Sequence, residues 1–155
     1  MAIKEPRIIK GASHKDFGVG FYCTAMKEQA ERWAKRFDTP VVSVYEYAEG
    51  TGLANSARLS ETAGLNIKNF PEMTDEWLDF IADCRSGKPH KYDIVIGAMA
   101  NDQVWNYVAD FISGIITREA FWALAKFKRP THQIAFCSEK ALASIEFVSS
   151  FEVAK

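Results

Sequence analysis

The nine residues Tyr92–Ala100, YDIVIGAMA, restrict the fold more than any other stretch of the chain. Apolar side chains stand at both parities of the run, so a strand here has no face left for water. The run therefore predicts a central strand packed on both sides. The patterns around it mix helices and strands without strict alternation. That predicts an α+β architecture rather than a doubly wound parallel sheet. At 155 residues the chain is long enough for one domain with a sizeable core, and no internal repeat divides it.

Val41–Tyr47 in TPVVSVYEY reads as a second strand, rich in β-branched and aromatic residues after a proline. LNIKNF, HQIAFCS and the closing EFVSSFEV read as three more. MKEQAERWAKRF places Ala30, Trp33, Ala34 and Phe37 on one helical face, with Thr24 as its expected N-cap. TDEWLDFIADCRSG reads as a helix capped by Thr74, with Trp77, Phe80, Ile81 and Cys84 on one face and Gly87 near its end. A helix ending at Gly114 follows, then one from Thr117 to Pro130, then the short EKALASI. Residues 48–64 are small and polar and read as a long surface loop. Trp33, Trp77, Trp105 and Trp122 fall at helical spacing and are assigned to core packing.

The charge balance narrows the function classes. A formal net charge of −1, with no block of like charges, argues against nucleic acid as an electrostatic partner. Cys23, Cys84 and Cys137 are odd in number and widely spaced, which fits reduced thiols better than disulfides or a zinc site. Three scattered histidines without an i, i+4 pair make a weak metal-ligand set. There is no signal-peptide pattern and no apolar run long enough for a membrane span, so the expectation is a cytoplasmic protein.

The chemically ambiguous stretch is KDFGVGFYCT, residues 15–24. Its Gly-x-Gly has cysteine where a dinucleotide fingerprint wants a third glycine, and no Walker Gly-Lys-Ser/Thr exists. Asp16-Phe17-Gly18 lacks the other kinase motifs. A nucleophilic Cys23 or Cys137 would need a base such as His14 or His132, and an inert buried thiol is the simpler reading. Two readings stay open. Gly18 and Gly20 take positive φ and approach a ligand while Tyr22 offers a flat ring, or the glycines form a turn into a strand with Phe21 and Tyr22 split between core and surface.

DFGVGFYCT, KEQAERWAKR, VVSVYEY, EWLDFI, YDIVIGAMAND and HQIAFCSEKAL, in that order, resemble an uncharacterised bacterial domain family of the ADP-ribosyltransferase superfamily, often encoded in toxin–antitoxin-like operons. The resemblance spans about residues 6 to 147. It implies a split β-sandwich with NAD+ in the cleft between two small sheets. Gly18-Val-Gly20-Phe21-Tyr22 matches the second superfamily motif, which implies that Tyr22 stacks on nicotinamide. THQIAF resembles the third, which implies that Gln133 or His132 contacts the ribose where an acid usually stands. Breaking the nicotinamide–ribose bond builds an oxocarbenium-like centre that such a residue would stabilise. Asn101 and Asp102 are either a helix N-cap or a rim contact to NAD+ or the target.

The resemblance further implies a macromolecular target and a cognate antitoxin as partner. Relatives usually open with a Tyr-His-Gly-Ser-like strand, and here the chain runs from Met1 into AIKEPRIIKG, with His14 poorly placed to substitute. The readings that follow are a mis-assigned start, a shortened chain, or a member that has lost NAD+ chemistry. The alternative function is therefore an inactive module of the same fold that binds another protein.

Overall fold

The computed structural model describes residues 1–8, 15–47, 64–100, 102–125 and 131–155. Among them are six strands: β1 (Phe21–Cys23), β2 (Val41–Tyr47), β3 (Ile67–Asn69), β4 (Ile94–Gly97), β5 (Gln133–Phe136) and β6 (Ile145–Glu152). The helices are α1 (Lys27–Ala34), α2 (Asp75–Arg85), α3 (Asp102–Ile112), α4 (Arg118–Ala125) and α5 (Glu139–Leu142). The class is α+β, as the sequence predicts. The predicted loop at 48–64 lies outside the described residues except for Gly64.

β4 is the interior strand its sequence calls for. It pairs antiparallel with β5, from Ile94↔Phe136 to Gly97↔Gln133, and parallel with β3, while β1 lies antiparallel on the far side of β5. All four residues of β4 and all four of β5 are buried. Side chains alternate faces along a strand, so this sheet has two distinct cores. Val95, Ala135 and Tyr22 turn to one face, against Phe17, Trp77, Val108 and Phe121. Ile94, Ile96, Ile134, Phe136, Phe21 and Cys23 turn to the other, with Leu65, Leu142 and Ile145. β2 and β6 form a separate antiparallel ribbon with a register shift between Val44 and Tyr45. Tyr45 reaches across to the larger sheet and meets Phe21 edge-on at 5.6 Å.

The helix starts follow their capping residues. Thr74 accepts from the Trp77 amide at 3.4 Å, Thr117 from Ala120 at 3.2 Å, and Ser138 from Ala141 at 3.1 Å. α1 departs from expectation. Met26 stands at its N-cap without a side-chain bond, and Thr24 Oγ1 instead accepts from the Met26 amide at 3.1 Å. The helix ends at Ala34, so Phe37 falls outside it and is 68% exposed. The buried residue that orients α1 is the polar Gln29, which a hydrophobic-face count passes over. The assignment of the four tryptophans to core packing holds for three of them: Trp77 belongs to the core, and Trp105 and Trp122 pack against it half-buried. Only Trp77 is fully buried, and its indole N–H donates to the Ala98 carbonyl at 2.9 Å. Trp105 lies under the Arg85 guanidinium, Trp122 donates to Asp75, and Trp33 lines a cavity.

Candidate functional site

The turn before β1 is built on itself. Gly18 has φ +82°, in the left-handed region that its position requires, and its amide closes onto the Lys15 carbonyl at 3.1 Å. The Tyr22 hydroxyl accepts from the Phe17 amide at 3.1 Å and donates to the Gly18 carbonyl at 2.5 Å. Lys15 Nζ lies 4.9 Å from the centre of the Tyr22 ring. Burial raises the phenol pKa well above its ordinary value, so Tyr22 stays protonated and able to donate. Tyr22 is thus the lock of the turn that precedes it. Gly20 is not in the left-handed region, contrary to expectation. Its constraint is steric: a Cβ there would stand 2.9 Å from the Phe136 carbonyl oxygen, so the close approach it permits is to strand β5.

The same face of the sheet holds a buried ionic cluster. Asp16 and Gln133 are 4% and 3% exposed. Arg85 Nε donates to Asp16 Oδ1 at 2.7 Å and Arg85 Nη2 donates to the same oxygen. Asp16 Oδ2 accepts from the Ala100 amide at 2.8 Å and from Gln133 Nε2 at 3.1 Å. The Arg85 guanidinium stacks 3.6 Å from the centre of the Trp105 ring. These four donor groups converge on one carboxylate, which is what a buried charge requires. Gln133 is therefore engaged with Asp16. Register places Tyr22 opposite Ala135, so Tyr22 and Gln133 share a face at diagonal positions.

His132 is held by its backbone. The Gln29 side chain donates to the His132 carbonyl at 2.6 Å and accepts from the His132 amide at 3.0 Å, tying α1 to the start of β5. Its ring Nδ1 is buried without a partner among the described residues, and burial lowers the imidazole pKa. The ring is biased towards the neutral form. Asn101 lies outside the described residues, and Asp102 is the first residue of α3.

The other face opens onto a cavity of about 840 Å³ between the large sheet and the β2–β6 ribbon. Phe21, Cys23, Ile134 and Phe136 form its floor, Trp33 and Ala30 come from α1, and Tyr45 and Phe151 come from the ribbon. Lys27 stands on its wall, with Nζ 5.2 Å from the centre of the Phe151 ring. Of the residues chosen from sequence, Phe21 and Tyr22 border this cavity, whereas Gln133 and His132 are not among its lining. Phe21 is the member whose side chain packs with the core on the cavity's face of the sheet.

Thiol chemistry finds no support here. Burial pushes Cys23, Cys84 and Cys137 each up to about 12, the opposite of what a nucleophile needs. Among the described residues no acidic, cysteine or histidine cluster could hold a metal ion, and no helix is long and apolar enough to cross a membrane.

Sequence reasoning missed Asp16, Arg85 and Gln29. Asp16 opens the DFGVGFYCT stretch, whose glycines and aromatics draw the functional reading, and Arg85 lies 69 residues away with no local sign of the pairing. Gln29 could have been found as the one polar residue on the buried face of α1.

Fold and cavity together define an α+β protein with a closed polar cluster on one sheet face and an aromatic cavity on the other. A family model described as a protein of unknown function (DUF3990) matches residues 1–147, and the chain belongs to that family. No curated protein and no solved structure matches the chain.

Proposed function

We propose that the protein is an ADP-ribosyltransferase-like enzyme that holds NAD+ between its two sheets and passes ADP-ribose to a macromolecular target. The observation that carries this reading is the cavity of about 840 Å³, walled by flat rings from both sheets and α1. A volume of that order suits a ligand of dinucleotide size. Phe21, Trp33 and Tyr45 supply planar faces for the nicotinamide or adenine ring, and Lys27 supplies positive charge for the pyrophosphate. Cleavage of the nicotinamide–ribose bond then needs the ring held and the developing cation stabilised. In a toxin-type setting a cognate antitoxin protein would act by covering this cavity.

A second reading is favoured by one observation. Gln133, which the family resemblance places at the ribose, is engaged by Asp16 on the opposite face of the sheet. The same fold would then bind a protein partner without transfer. Titration calorimetry with NAD+ and an assay of nicotinamide release separate the two. Binding that weakens about tenfold in Trp33→Ala, with nicotinamide released, is the expected result. Binding without release selects the second reading, and absence of binding overturns the first. Tight binding unchanged by Tyr22→Ala removes nicotinamide stacking from that residue.

A further inference from the structure

We infer that the N-terminal segment, residues 1–5, is a displaceable strap over the mouth of the cavity, so that ligand entry requires its release. The inference concerns regulation of the cavity, and its NAD+ arm rests on the function proposed above. Met1 and Ile3 line the cavity, yet they are 93% and 49% exposed, so burial contributes little to holding them there. The segment has no strand or helix of its own. It is fastened through the backbone of Ile3: the amide donates to Ser43 Oγ at 2.9 Å, and the carbonyl accepts from the Tyr45 hydroxyl. The next anchor is Ile8, which packs against the core on the cavity's side of the sheet. A peptide held by two solvent-exposed hydrogen bonds ahead of one apolar anchor belongs to the low-stability end of a fold.

Both fastening side chains belong to the cavity wall. Tyr45 packs edge-on against Phe21 and Phe147, so its ring keeps its place when the strap leaves. Release therefore exposes two hydroxyls and the Phe21–Tyr45 wall without unfolding either sheet. A ligand that uses those groups binds only the open form, and its apparent affinity is reduced by the fraction of molecules that are open.

Ile3→Pro tests this in the full chain, because it deletes the amide N–H that donates to Ser43 Oγ and leaves every side chain that the sheets and α1 give to the wall in place. A chain lacking residues 2–5 is the second variant. Two probes are titrated into each: the apolar dye anilinonaphthalene sulfonate and NAD+. Dye affinity should rise about three- to tenfold in both variants, and dye binding to the unaltered chain should speed hydrogen exchange at residues 2–5. Unchanged or weaker dye binding in both variants overturns the strap. A stronger dye response with no NAD+ binding to any of the three chains supports the strap and overturns the NAD+ reading instead.

Discussion

The two faces of the four-stranded sheet are made from the same strands, and they do opposite things. On one face, β1 and β5 turn Tyr22 and Gln133 into a closed interior, where each polar group is satisfied by another part of the chain. On the other, Phe21, Ile134 and Phe136 form the floor of a cavity. Helices α2, α3 and α4 cover the first face with Trp77, Leu78, Val108 and Phe121. A thin two-stranded ribbon and α5 cover the second, leaving space between them. Polarity in the sequence marks the closed face, and vacancy in the fold marks the open one. A buried polar residue can be structural glue as readily as a functional group, and the partner it touches decides which.

The sharpest way to break this contrast is at Asp16. Asp16→Ala leaves the largely buried Arg85 guanidinium unpaired and should cost about 3–5 kcal/mol in chemical denaturation. Adding Arg85→Met should restore part of that loss, and a strictly additive double variant would contradict the closed cluster. Gly20→Ala is next. Its Cβ would lie 2.9 Å from the Phe136 carbonyl oxygen, so β1 must move off β5, at about 1–3 kcal/mol of thermal stability. Tyr22→Phe removes both hydroxyl bonds of the turn and should cost about 1–2 kcal/mol while leaving NAD+ affinity unchanged. Trp33→Ala should do the reverse, changing stability by less than about 1 kcal/mol while lowering ligand affinity.

The last test concerns the thiols and shows only in alkali. Burial lifts Cys23, Cys84 and Cys137 from 9.0 to about 12, so the folded chain keeps protons that the unfolded chain releases between those values. Their stabilising contribution is complete below pH 9 and is lost as pH rises towards 12. Denaturation curves across that range should show the slope, and Cys84→Ala should flatten it. Burial keeps the folded thiols protonated at pH 8, so native alkylation should be far slower than in denaturant. Fast labelling of Cys23 would show that its wall of the cavity is open to water.

Much of the fold was legible in the residues. Tyr92–Ala100 announced an interior strand, and β4 is buried along its whole length. Val41–Tyr47 is the observed span of β2, and Thr74, Thr117 and Ser138 mark helix starts by hydrogen bonds that local sequence controls. α1 was misjudged because Gln29 is buried for a bond to His132, 103 residues away, which no helical periodicity reports. The candidate site was legible only in part. Gly18 was correctly placed at positive φ, but Tyr22 was read for its ring when its hydroxyl closes the turn.

By itself the sequence determined where strands and helices form, because capping and side-chain alternation act over a few residues. It also determined which faces must be buried. Only the tertiary structure decided that Asp16, Arg85 and Gln133 meet, and that Phe21 and Trp33 border an opening. Those outcomes depend on pairings between distant segments, where one residue's shift in register exchanges the two faces of a strand. The sequence therefore named some of the residues with chemistry, and packing determined how each of them is engaged.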